Sequence, residues 1–224
     1  MLKVQSLHKK YGTTTVLENV SFDISPGETV GLVGENGAGK STLLHIIATL
    51  QKASGGNVYL HDLDYKRNRK AIRKRIGFVP QEIAIWEDFT VEQNMVFFEK
   101  LSWESKTKEA LRQLCLDMEL HKWKEKVHTL SGGMKRKLNL AISLIHDPDL
   151  LLLDEPTVGI DLKSKQEIGH YLKKLAKEHN KIIMYTSHDM DEIMHLCDYT
   201  YCLGKDPFYE TFLRERGQDI MTLS

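Results

Sequence analysis

Net charge is missing from this chain: Lys plus Arg and Asp plus Glu each number 31. A balanced chain has no global field pulling it to nucleic acid or to an anionic membrane, so no nucleic-acid partner is expected. Cysteine is scarce. Cys115, Cys197 and Cys202 are too few and too scattered for a disulfide framework or a zinc site, and read as thiols in a reducing compartment. Long apolar runs are lacking, since none approaches the roughly 20 residues that a membrane span needs. The first residues, Met1-Leu2-Lys3-Val4-Gln5, lack the apolar h-region of a secretion signal. No internal repeat or low-complexity segment occurs. These absences predict a soluble, cytoplasmic protein whose membrane role would run through a partner subunit.

What the chain does have is 41% apolar residues in 224, enough for a sizeable core in one large domain or two small ones. Its centre is the stretch Val33-Gly-Glu-Asn-Gly-Ala-Gly-Lys-Ser-Thr42. The apolar run Thr29–Val33 before it has strand character, and Leu43–Leu50 after it reads as a buried helix. Gly34, Gly39, Lys40 and Ser41 then fit the phosphate-loop pattern in its strand–loop–helix setting. Gly34, Gly37 and Gly39 free the backbone of Cβ atoms, so its N–H groups can turn around a polyphosphate. The helix start adds the positive end of its dipole. Lys40 supplies a mobile charge for the β- and γ-phosphates, and Ser41 a hydroxyl ligand for Mg²⁺. A glycine turn that binds nothing would not need both flanks.

Two strands, 2–8 and 16–25, precede this loop, joined by a turn at Tyr11-Gly12; Ser25-Pro26-Gly27-Glu28 turns the chain into the loop strand. Ser54-Gly55-Gly56-Asn57 breaks the chain before a short strand, Val58-Tyr59-Leu60. Lys66 to Arg75 is dense in basic residues but has no aromatic interleaving, so a solvated helix face is the expectation. Ile76–Val79 is a strand ending at Pro80-Gln81. From Glu82 to Thr129 the composition turns helical. Thr90 with Gln93 forms a capping-box pattern. Phe97, Phe98 and Leu101 continue one apolar face. Lys106 to Glu119 predicts a second amphipathic helix with Ala110, Leu111, Leu114 and Met118 inward. After Leu130-Ser131-Gly132-Gly133-Met134, a helix runs from Lys135 to His146. Four leucines, Leu150 to Leu153, suit a central parallel strand buried on both faces. Asp154 and Glu155 at its end are costly as core, but make sense at the carboxyl edge of a sheet beside a phosphate loop. Ser164–Glu178 is a helix and Ile182–Thr186 a strand. His188 follows that strand's end, as Asp154 and Glu155 follow theirs. The other histidines show no metal-ligand spacing. Asp189–Cys197 is a helix and Tyr199–Leu203 a last strand.

These motifs in this order resemble the nucleotide-binding subunit of an ABC transporter, over about residues 2–204. The signature-like stretch Leu130–Met134 is far more specific than the phosphate loop alone. The resemblance implies an α/β P-loop NTPase with a mostly parallel central sheet, an N-terminal antiparallel β subdomain and a helical insertion. It implies one domain over 1–224: a core at about 1–81 and 130–204, a helical subdomain at about 82–129, and a tail, 205–224, left unassigned. It implies ATP and Mg²⁺. Tyr11 would stack on adenine, and Gly34, Glu35, Asn36, Gly37, Ala38, Gly39, Lys40, Ser41 and Thr42 would hold the phosphates. Ser41, Gln81 and Asp154 would handle the metal. Gln81, Glu155 and His188 would be catalytic, with Glu155 as general base. Ser131, Gly132, Gly133 and the D-loop Asp161 would complete the site of a second, head-to-tail subunit. A transmembrane permease would be the other partner, placing the chain peripherally at the cytoplasmic face of the membrane. Met134 for the usual Gln resembles drug, lipid and peptide exporters, and Leu162 stands where many relatives have Pro. An ABC-type ATPase in assembly or repair is the rival reading; a P-loop kinase or G protein leaves the signature unexplained.

Overall fold

The computed structural model describes residues 1–223. In chain order the elements are β1 (Leu2–Tyr11), β2 (Thr14–Ile24), β3 (Thr29–Val33), α1 (Lys40–Ile47), β4 (Gly55–Leu60), β5 (Leu63–Asp64), α2 (Arg69–Arg73) and β6 (Ile76–Val79). Then come α3 (Val91–Leu101), α4 (Lys108–Leu116), α5 (Gly132–Ser143), β7 (Leu150–Asp154), α6 (Leu162–His179), β8 (Ile182–Thr186), α7 (Met190–Leu196), β9 (Tyr199–Leu203), α8 (Pro207–Arg214) and β10 (Ile220–Leu223). They make two sheets. One is a four-stranded antiparallel sheet in the order β2-β1-β4-β5; the other has six strands in the order β10-β9-β3-β8-β7-β6. Every pair in the larger sheet is parallel, not merely most of them.

The parallel sheet is covered on both faces, and side-chain alternation sorts its residues between two cores. Leu151, Leu153, Ile183 and Tyr185 join the core under α5, α6 and α7. Leu150, Leu152, Ile182 and Met184 join the other, with α1 and the antiparallel sheet. The run of four leucines thus serves both layers. Pairing of Val79 with Leu153, and of Leu153 with Tyr185, sets the ends of β6, β7 and β8 level.

Several expectations shift. β4 begins at Gly55, so the glycine pair expected to break the chain belongs to the strand. Helix α1 starts at Lys40 and ends before Leu50, which is exposed. Helix α4 starts later than expected and ends at Leu116; Ala110 faces solvent, Leu111 and Cys115 are its buried residues at i and i+4, and Met118 is buried just past its end. Leu101 is exposed rather than continuing the face of α3. The basic run is only partly a solvated face: Arg69 and Arg73 donate to Thr49 at the end of α1, and Arg75 pairs with Asp149 at 3.3 Å. The tail is structured. Asp206 caps α8, with Pro207 in the first turn, and β10 adds a parallel edge strand beside β9. Tyr199–Leu203 is therefore not the last strand.

The segment after Gln81 is held by one buried amide. Asn94, fully buried in α3, accepts from Trp86 N–H and donates to the carbonyls of Trp86 and Thr90, at 2.9, 2.9 and 3.1 Å. Thr90 and Gln93 form the capping box at the same helix start. Replacing Asn94 by Leu orphans the backbone polar groups of Trp86, at about 1–3 kcal/mol for each group left buried and unpaired. Urea denaturation of Asn94→Leu is expected to show a lowered midpoint, with an unfolding free energy reduced by about 1–3 kcal/mol; an unchanged midpoint contradicts the clamp.

Candidate functional site

The expected residues gather at the carboxyl ends of the parallel strands, the edge where open α/β sheets place their ligands. Strand β3 delivers the loop 34–42. Gly34 has φ +147°, and a Cβ there would lie 2.0 Å from the carbonyl oxygen of Leu203, so only glycine lets the loop pass the end of β9. Gly39, at φ +100°, turns the chain into α1, and a Cβ there would press on Leu17 and Val16. Glu35, Asn36, Gly37 and Ser41 are exposed, while Ala38 and Thr42 are half-buried. Lys40 is buried, and its ammonium donates to the carbonyls of Gly34 and Glu35 at 2.7 and 3.0 Å. Burial holds it below the usual lysine range, against the opposing pull of Glu155, Asp154 and Glu35. The charge is thus parked on loop carbonyls, within the field of two carboxylates, Asp154 at the end of β7 and Glu155 just after it.

Asp154 ends β7, where the Thr186 hydroxyl donates to its Oδ1 at 3.0 Å. The same Thr186 oxygen accepts from the backbone N–H of Glu155 at 2.9 Å. Thr186 was not singled out in the sequence. Its register pairing with Asp154 across β7 and β8 is the signal that would have found it. Glu155 has φ +48°, a conformation that costs an L residue about 1–3 kcal/mol and persists only where neighbours impose it. Its carboxylate lies between two partners. His188 Nε2 stands 2.8 Å from Oε1, and Gln81 donates from Nε2 to Oε2 at 3.1 Å. So β6, β7 and β8 each contribute one member of this triple.

Gln81 is fixed from below by Arg136 of α5. The buried guanidinium donates to the carbonyls of Pro80 at 3.1 Å and Gln81 at 2.8 Å. Arg136 was also missed. The sequence does not single it out, because it stands between Lys135 and Lys137 in a run that reads as a solvated face; its burial needs the carbonyl partners that only the fold supplies.

Ser131, Gly132, Gly133 and Asp161 form a separate group. Ser131 caps α5 by accepting from Met134 N–H at 3.3 Å. Asp161 caps α6, accepting from Ser164 N–H at 3.0 Å and from its hydroxyl at 2.7 Å, which holds the carboxyl below the usual range. A Cβ on Gly133 would fall 2.0 Å from Ser164 Oγ, so the starts of α5 and α6 touch. Ser131 and Gly132 remain exposed. Among the described residues, no hydrogen bond or ion pair joins this group to the phosphate loop. Tyr11 stands apart as well. It is 46% exposed at the end of β1, its hydroxyl donates to Gln51, and the Lys9 ammonium lies 4.6 Å from its ring centre. The Gln51 contact was not expected of a stacking ring.

The possible metal donors at the sheet edge are all oxygens: the Ser41 hydroxyl, Asp154 and the amide oxygen of Gln81. Thr186 engages only Oδ1 of Asp154, and Gln81 donates through nitrogen, so neither contact spends the other oxygen. Such a set fits Mg²⁺ and not a softer metal. Among the described residues no three His, Cys, Asp or Glu side chains cluster as a complete metal cage.

A phosphate loop at the head of a parallel sheet, with acidic residues ending the next strand but one, defines the P-loop nucleoside-triphosphatase class. The ABC transporter family model matches residues 17–158, and an AAA-domain model matches a shorter stretch, residues 124–194. The linearmycin resistance ATP-binding protein LnrL of Bacillus subtilis is 38% identical over 204 residues, covering 88% of this chain and 64% of that protein. The Nod factor export ATP-binding protein I of Paraburkholderia xenovorans is 36% identical, covering 88% and 65%. The chain thus spans just under two thirds of these two relatives. The aliphatic sulfonates import ATP-binding protein SsuB 1 of Shouchella clausii is 32% identical, covering 94% and 80%. Among solved structures, a dimeric bacterial ABC transporter cassette superposes with a TM-score of 0.80 at 28% identity, covering 91% of this chain and 94% of that one. A second dimeric structure of that cassette, in a post-hydrolysis state bound to ADP and Pi, superposes at 0.79 and 29%, with the same coverage. The chain belongs to the ABC transporter ATP-binding family.

The loop geometry makes a direct prediction. Gly34→Ala is expected to abolish binding of a fluorescent ATP analogue. Gly37→Ala, where a Cβ meets nothing within 4 Å, adds only the strain of φ +86° and is expected to bind within about tenfold of the parent. Equal binding by the two variants contradicts a loop held against Leu203.

Proposed function

We propose that this chain binds and hydrolyses ATP as the nucleotide-binding subunit of a membrane exporter, working head to tail with a second subunit of its kind. One observation carries the reading: the Glu155 carboxylate stands between Gln81 and His188, with Lys40 close enough for its charge to be felt. Phosphoryl transfer to water asks mainly for positioning and charge stabilisation. In this reading Tyr11 stacks on adenine, the backbone of residues 34–42 wraps the phosphates, and Lys40 moves from the loop carbonyls to the β- and γ-phosphates. Glu155 accepts a proton from the attacking water as that oxygen bonds to the γ-phosphorus and the bond to ADP breaks. His188 and Gln81 hold the water and γ-phosphate in line. Ser41, Asp154 and Gln81 would hold Mg²⁺, which neutralises phosphate charge when bound.

The separation of Ser131, Gly132, Gly133 and Asp161 from the phosphate loop supports a two-chain site. In this reading the exposed end of α5 is a second anion-binding surface, offered to ATP on the partner chain. The relative Nod factor export ATP-binding protein I favours export. The importer SsuB 1 matches at lower identity. Among the described residues no helix is long and apolar enough to cross a membrane. In this reading a permease supplies the spans and holds the subunit at the cytoplasmic face. Residues 1–81 and 130–204 form the nucleotide core, and 82–129 the arm that meets the permease. On that arm Trp86 is 54% exposed and leans on Phe89 and Phe97, with ring centres 6.1 and 6.0 Å away. Ile85, by contrast, packs partly against the core and is no free contact.

Glu155→Gln is expected to lower ATP turnover at least about 100-fold, the lower bound for a lost general base, with ATP affinity within a few fold. Turnover within a few fold of the parent, read by phosphate release, contradicts the assignment. Trp86→Asp is expected to keep ATP binding and lose co-purification with the permease. Retained co-purification moves the docking site elsewhere.

A further inference from the structure

The chain running past Glu155 and the chain carrying His188 come from different strands, yet one carboxylate bridges them. Glu192, in the first turn of α7, accepts through Oε2 from the Thr157 hydroxyl at 2.9 Å and from the Ser187 hydroxyl at 2.7 Å. Thr157 lies two residues after Glu155, and Ser187 is the residue before His188. The donors can be assigned throughout. Asp189 N–H donates to Ser187 Oγ at 3.0 Å, so Ser187 spends its proton on Glu192. Thr157 also spends its proton on Glu192, so the hydroxyl of Tyr185, 3.0 Å away, donates to Thr157. Each hydroxyl donates once, and the chain of bonds ends on a carboxylate, the strong acceptor that such a chain requires. Thr157 is buried at 2%, Ser187 at 5% and Tyr185 at 0% exposure, so the donor side of these bonds is shielded from bulk water, while Glu192 itself is half-buried. Burial also pushes the Tyr185 phenol up from its ordinary range, keeping it protonated as a donor. A second tie reaches the same turn from α6: Lys165 pairs at 2.9 Å with Asp189, the cap residue of α7.

We propose that Glu192 is a positioning residue for the hydrolysis described above, fixing the Glu155 segment against the His188 turn so that the 2.8 Å contact between the two side chains is held in register. The inference rests on the ATP-hydrolysis reading. Glu192 touches neither Glu155 nor His188; it acts through Thr157 and Ser187. A general base and its partner displaced by about 1 Å lose roughly 100-fold in rate, while the backbone of the loop 34–42, which Glu192 does not touch, keeps its hold on the phosphates. Glu192 is thereby predicted to govern kcat and not KM. The strain at Glu155, with φ +48°, gives this bridge something to hold.

The experiment compares the parent chain, Glu192→Ala, Glu192→Gln and Thr157→Val by steady-state ATP hydrolysis, with ATP affinity from direct titration and folding checked by thermal melting. Glu192→Ala is expected to lower kcat at least about tenfold with ATP affinity within about threefold, a partial version of the 100-fold loss that misplacement brings. Glu192→Gln keeps an oxygen able to accept from both hydroxyls and is expected to restore most of kcat. Thr157→Val breaks one arm only, and its loss combined with Glu192→Ala is expected to fall short of the product of the two. A parent chain that binds ATP without hydrolysing it sinks the hydrolysis reading itself. A parent that hydrolyses while folded Glu192→Ala keeps its kcat overturns this inference alone. So does a Glu192→Ala loss confined to KM, or one that Glu192→Gln fails to restore. If Glu192→Ala fails to fold, Thr157→Val decides by the same kcat criterion.

Discussion

The register of β7 between β6 and β8 is the constraint on which the site depends. Both faces of β7 are apolar, so alternation alone does not fix its position along the sheet. Asp154 does. Drawn further inward it would place a carboxylate among leucines, at a cost that no local contact repays; where it stands, it meets Thr186 as its register partner. With Val79, Leu153 and Tyr185 level, the residues just beyond them converge. Gln81, Glu155 and His188 then need no long loop to reach one another. The same edge receives the phosphate loop from β3, and Gly34 lets that loop pass under the carbonyl of Leu203.

From this edge, contacts run outward to the neighbouring turns and helices. Arg136 links the signature helix α5 to the Gln81 turn. Gly133 against Ser164 links the same helix to the Asp161 turn at the start of α6. Lys165 with Asp189, and Glu192 with Thr157 and Ser187, link α6 and the Glu155 segment to the His188 turn. Apart from Ser187 with Glu192, each tie joins groups well separated in sequence, and the hydrogen bonds of Arg136, Thr157 and Ser187 are part-buried, which strengthens their hold on geometry. Through Arg136 these ties reach the turn at Gln81, from which the chain runs on to Trp86 and its aromatic neighbours.

Parts of this were legible in the sequence for reasons that can be named. The phosphate loop is a local motif with its chemistry written in consecutive residues. The capping box at Thr90 and Gln93 is local too, and formed as read. Leu150–Leu153 showed its two-faced burial through composition alone. What stayed hidden was non-local. Thr186, Arg136 and Glu192 matter through partners that only the sheet order brings near. The glycines at 55 and 56 looked like a break because their strand is held by pairing with β1, not by its own propensity. The tail escaped for the same reason: β10 is a strand because β9 lies beside it. Ala110 misled because it lies one residue before Leu111, at the edge of the apolar stripe in the first turn of α4, where solvent reaches it.

The central claim is that one chain holds only half of each working site: the phosphate loop with Glu155 on one surface, Ser131 to Gly133 with Asp161 on another. The most direct measurement is the solution mass of Glu155→Gln by sedimentation with and without ATP and Mg²⁺. The account predicts a monomer alone and a dimer of twice that mass with nucleotide, lost again when Ser131→Arg blocks the α5 surface. A species that binds ATP and stays monomeric under those conditions contradicts it.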